Sequence, residues 1–109
     1  LTTFNDITTT VAARMLAQRI MGEATTPEER LTLAMRHVVS RRPDATELGI
    51  LTAGLKRRLD RYAADPTAAA TVLAEGTPPP PHTFPPAELA AYAQTCALIL
   101  NLDETLTRE

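Results

Sequence analysis

The chain has 109 residues, with 11 Lys and Arg against 13 Asp and Glu for a formal net charge of −2, and one cysteine. That length suits one domain over residues 1–109 burying roughly two-thirds of its unfolded surface, and a composition 44% hydrophobic and 22% charged excludes a disordered tail. The near-neutral balance excludes a whole-domain attraction to nucleic acid or membranes, no apolar run approaches the roughly 20 residues that cross a bilayer, and Cys96 alone excludes an internal disulfide.

Apolar and polar residues do not alternate as in a strand, whereas helical spacing recurs between Pro, Gly and capping residues. The spacing predicts a first helix over 6–21, capped by Asn5 or Asp6 and stopped by Gly22. Its apolar stripe is read as Val11, Ala12, Met15, Leu16 and Ile20, with Thr10, Arg14 and Gln18 opposite. Thr26-Pro27-Glu28-Glu29 is a capping box with proline at N1 and opens a second helix. Leu31, Ala34, Met35 and Val38 share one of its faces, and Pro43 ends it by disfavouring helical geometry at Arg42.

Asp44-Ala45-Thr46-Glu47 repeats the capping pattern for a third helix with a long seam of Leu48, Leu51, Leu55, Leu59 and Tyr62. Gly49 and Gly54 each cost this helix about 1 kcal/mol relative to Ala. They either let a neighbouring helix approach closely or are simply tolerated. Asp65-Pro66 starts a short fourth helix through Ala68, Ala69, Val72 and Leu73, stopped by Gly76. Residues 77–86 hold six prolines and predict an extended connector pinned by Phe84. That connector is a spacer across the bundle, with a polyproline ligand for an aromatic groove as the alternative. The last helix starts near Ala87 and carries Leu89, Tyr92, Ala93, Cys96, Ile99 and Leu100; being apolar all round, it is expected at the centre. Asn101 and Asp103 are expected to loosen it into one further turn.

The inventory for chemistry is thin. His37 has no acid or cysteine at helical spacing and reads as a surface residue, and His82 lies in the connector, so neither begins a zinc site. Cys96 sits among Ala, Leu and Ile as a small buried apolar residue, not in the electropositive setting that activates a thiol. The four glycines form no phosphate-binding loop, and Asp103-Glu104 reads as a solvated helix end rather than an acid–base pair. No cofactor is expected in this piece.

Charge is unevenly distributed. Residues 30–61 hold eight basic groups against Asp44, Glu47 and Asp60, a local +5, whereas residues 62–107 hold five acids and no Lys or Arg, a local −5. The leading reading is a solvated face balanced within the fold. Its candidate interaction surface is Arg41, Arg42, Arg57, Arg58 and Arg61. Nucleic-acid binding through 30–61 ranks lower, because no aromatic residues interleave the arginines as stacking platforms.

Three stretches carry a family resemblance: Phe4-Asn5-Asp6 with Ala12-Ala13-Arg14; Arg30-Leu31 through Arg41-Arg42-Pro43 with Glu47-Leu48; and the ending Asn101-Leu102-Asp103-Glu104-Thr105-Leu106-Thr107-Arg108-Glu109. In order and spacing they resemble the C-terminal part of the planctomycete PSD1 domain, also called DUF1553, although Ile7 stands where that pattern has proline and Val11 where it has an acid. The resemblance implies a large exported protein, often with a haem-binding cytochrome-like domain upstream, and an unassigned activity. It supplies no catalytic residues, and Cys-x-x-Cys-His is missing from this piece.

The chain opens on Leu1, which reads as an excised piece of a longer protein. The expectation is therefore an all-α, compact bundle of about five helices with a proline-rich connector before the last helix. It would act as a non-catalytic structural or protein-interaction module, with other domains of the parent protein as partners and no membrane insertion. The alternative is a docking part that completes an enzyme or haem/redox protein in the parent chain.

Overall fold

The computed structural model describes residues 7–74 and 84–107. Five helices follow in order: α1 (Ile7–Glu23), α2 (Pro27–Val39), α3 (Ala45–Ala64), α4 (Pro66–Ala74) and α5 (Pro86–Thr107), and the described residues contain no strand. The radius of gyration is 13.1 Å, about the value for a folded chain of this length. This is the expected all-α bundle.

Helix starts follow the capping chemistry. The Thr26 hydroxyl oxygen accepts from the Glu29 backbone N–H at 3.2 Å and donates to the Glu29 carboxylate at 3.0 Å. At α3 the capping box is reciprocal: Glu47 N–H donates to Asp44 Oδ1 at 2.7 Å, and Asp44 N–H donates to Glu47 Oε1 at 3.0 Å. Asp65 Oδ1 accepts from the Ala68 N–H at 3.1 Å and opens α4. α2 closes before Arg42, at Ser40, which adopts the left-handed conformation with φ 61°. The proposed cap Asn5 or Asp6, the stop at Gly76 and connector residues 77–83 lie outside the described residues.

α5 occupies the centre and packs against all four other helices. Leu89, Ala90, Ala91, Tyr92, Ala93, Thr95, Cys96 and Ile99 are buried on it, and Phe84 packs on the core just before it begins. It is one continuous helix through Thr107, so Asn101 and Asp103 do not loosen it. The α3 seam is also as expected: Leu51, Leu55 and Tyr62 are buried, with Leu48 and Leu59 packed against them.

α1 corrects the sequence reading. Its buried face is Ala13, Arg14, Ala17, Ile20 and Met21, while Ala12 and Met15 are exposed. The small Ala13 and Ala17 present low relief on the helix that packs most extensively against α5. Arg14, expected on the outer face, is only 3% exposed, and its Nη1 donates to the Leu73 carbonyl at 2.8 Å. It thereby satisfies one of the carbonyls left unpaired in the last turn of α4. Gly22 does not stop α1, which runs on to Glu23.

Candidate interaction surface

The basic segment divides into side chains that hold the fold together and side chains that face outward. Arg30 belongs to the first group. Its Nε donates to the Ala24 carbonyl at 2.9 Å, Nη2 to the Met21 carbonyl at 3.3 Å and Nη1 to the Tyr92 hydroxyl at 3.3 Å. The guanidinium carbon also lies 5.2 Å from the centre of the Tyr92 ring. One cation on α2 thus covers the carbonyl end of α1, where positive charge is favoured, and ties it to α5.

Arg41 is likewise engaged. Its two terminal nitrogens donate to the two Glu47 carboxylate oxygens at 2.7 Å each, and Nη1 also donates to the Arg42 carbonyl at 3.2 Å. This fork clamps the α2–α3 corner. The Arg41 hydrogen bonds, with help from the Asp44 backbone N–H, hold the Glu47 carboxyl down at about 2. Arg42, beside it, is exposed.

Arg57, Arg58 and Arg61 lie on one flank of α3. Gly54 is buried beneath this flank, and a Cβ built on it would meet Arg58 Nη1 at 2.7 Å and Arg57 Nη2 at 3.6 Å. The glycine therefore makes room for arginine side chains rather than for a neighbouring helix. Arg58 Nη1 also donates to the buried Thr95 hydroxyl of α5 at 3.4 Å, and the Thr95 O–H in turn donates a hydrogen bond to the Ala91 carbonyl at 2.9 Å. Burial, and then the charge of Arg57, lower the pKa of Arg58. The guanidinium carbon of Arg61 lies 5.6 Å from the centre of the Tyr62 ring.

Among the described residues the ion pairs are Arg19–Glu23 and Arg41–Glu47, and the His37 ring lies 3.7 Å from the Glu23 carboxylate. Lys56, Arg57, Arg58 and Arg61 pair with no carboxylate there. Ile50 is 67% exposed and lies on the same flank, one turn before Gly54. Sequence reading passed over Ile50; the available signal is that it falls outside the three-and-four spacing of the α3 seam.

A second feature lies at the α1–α2 corner, a depression of about 330 Å³ lined by Glu23, Ala24, Glu28, Glu29, Thr32 and Leu33. His37 is exposed and has its acidic neighbour on the other helix of the pair: its Nε2 lies 3.7 Å from Glu23 Oε1, with Arg19 on the other carboxylate oxygen at 3.1 Å. Among the described residues no three His, Cys, Asp or Glu side chains converge as a metal site. Cys96 is fully buried, and burial pushes its thiol up to about 12. Among the described residues no helix is long and apolar enough to cross a membrane. Comparison with protein-family models, with curated proteins and with solved structures finds no match.

Proposed function

We propose that this chain is a non-catalytic helical module that works by binding protein, placed at the C-terminal end of a larger, exported protein of the planctomycete PSD1 type. The observation that carries the interaction reading is the division of polar and apolar groups. The buried or half-buried polar groups Arg14, Arg30 and Thr95 join helix to helix, whereas Met15, Ile50, Leu98 and Leu102 stand 42–67% exposed on three helices. Covering any one of these side chains on association would remove apolar area from water and so favour binding. The place in a larger protein rests on the resemblance carried by residues 4–14, 30–48 and 101–109.

The test is size-exclusion chromatography of this domain with the separately expressed remainder of the parent chain. Co-elution in a stable complex is the expected result. Elution as two separate folded species overturns the parent-docking part and directs the search to external partners.

A further inference from the structure

We propose that the flank of α3 bearing Ile50, Arg57, Arg58 and Arg61 is a docking surface for an acidic protein segment that carries an apolar side chain among its carboxylates. The proposal rests on the interaction reading above and names its surface and the chemistry of its partner.

Counted from Ile50, positions 54, 57, 58 and 61 follow after four, seven, eight and eleven residues along α3, so they share one side of the helix. Leu51, Leu55 and Tyr62 point to the core, Gly54 and Arg58 lie at its edge, and Ile50, Arg57 and Arg61 are exposed. At its centre the missing Cβ of Gly54 leaves a hollow into which two guanidinium groups reach, one nitrogen of each lying within 3.6 Å of the same point. Like charges drawn together, with no carboxylate on them among the described residues, are best relieved by an incoming anion. A guanidinium fork matches a carboxylate through two parallel hydrogen bonds. Arg58 is anchored from below by the Thr95 hydroxyl, so part of the surface is positioned before the partner arrives and less freedom is lost on binding.

The neighbouring Ile50 decides between protein and nucleic acid. An aliphatic side chain 67% exposed beside the cations gains free energy by being covered with apolar surface. A single-stranded polynucleotide would instead call for a stacking ring, and the aromatic residue nearest the arginines in sequence, Tyr62, is buried. Carboxylates around an apolar anchor complement both halves of the patch, with charge setting orientation and encounter rate.

The test titrates the isotope-labelled chain with a synthetic peptide of repeated Glu-Glu-Leu triplets and follows backbone amide shifts. In parallel it is titrated with a Lys-Lys-Leu peptide, a single-stranded oligonucleotide and inorganic phosphate. Expected are shifts centred on residues 50–61 with the acidic peptide alone, an affinity at least about tenfold weaker in the Arg57→Gln/Arg61→Gln double variant, and a smaller loss in Ile50→Ser. Circular dichroism of these surface variants should match the parent and so separates lost binding from lost fold.

Several results overturn the surface: no shifts with the acidic peptide, equal affinity in the double variant, or tighter binding of the oligonucleotide or phosphate. Self-association through these residues does the same. Co-elution with the parent remainder that survives the double substitution also removes this surface while leaving the interaction reading intact.

Discussion

Replacing Arg30 with alanine should be strongly destabilising although the residue is partly exposed. The side chain makes one short charge-assisted hydrogen bond, to the Ala24 carbonyl at 2.9 Å, and two longer ones at 3.3 Å. A charge-assisted bond is worth roughly 1.5–3 kcal/mol net. Taking the low end for the short bond, less for the two longer ones, and about 0.5 kcal/mol for the half-buried Tyr92 contact, the loss is about 2–3 kcal/mol. For a domain of this size that lowers the melting temperature by about 10 °C. Urea unfolding followed by far-ultraviolet circular dichroism measures it, with Arg36→Ala on the exposed side of the same helix as control, expected within about 0.5 kcal/mol of the parent. Arg30→Lys keeps the charge without the fork and should recover only part of the loss. If Arg30→Ala is no more destabilising than Arg36→Ala, the three-helix tether has no energetic weight and the reasoning fails.

Gly49→Ala should stabilise by about 1 kcal/mol in the same assay, because nothing lies within 4 Å of the new Cβ and helix propensity improves. Gly54→Ala should fall short of that gain, since its Cβ displaces Arg58 from a point 2.7 Å away; equal gains at both positions would deny the hollow. Cys96 should resist a thiol-specific reagent at mildly alkaline pH until denaturant is added, because its thiol is buried and pushed up to about 12. Rapid native labelling would contradict the burial. Glu47 has a folded pKa of about 2 against an ordinary 4.5, so its stabilising share is full above 4.5 and is lost as pH falls toward 2. The stability gap between the parent and Glu47→Gln should therefore close over that acid range, and a gap constant with pH would refute the assignment.

The elements that were legible in the sequence are those whose signals are local. Thr26, Asp44 and Asp65 bond backbone amides three residues on, and each duly starts a helix. The apolar girth of α5 demanded a central position because no orientation could keep it out of the interior. α1 was misread for the same physical reason that α5 was read well. Val11, Ala12, Met15, Leu16 and Ile20 compete with Ala13, Ala17 and Met21 around nearly the whole circumference, so periodicity does not choose a face. The choice falls to the fit against α5 and to the Leu73 carbonyl that Arg14 reaches from 59 residues away. The arginines of the basic segment 30–61 were legible as charge. Which of them is clamped or tethered was not, because the partners of Arg30 and Arg58 on α5 lie 62 and 37 residues along the chain.

The central position of α5 has a consequence for synthesis. The helix on which the other four pack is the last of the five to leave the ribosome. Until it emerges, the first four helices have only their contacts with one another, α1 with α2, α2 with α3 and α3 with α4, to close on. The nascent chain is therefore a set of loosely paired helices with exposed apolar faces, the kind of species that chaperones hold and proteases cut. Pairing α1 with α5 also closes a loop across most of the sequence, which slows folding relative to a bundle built from neighbouring helices alone. A stop codon before residue 86 would leave the first four helices without their centre.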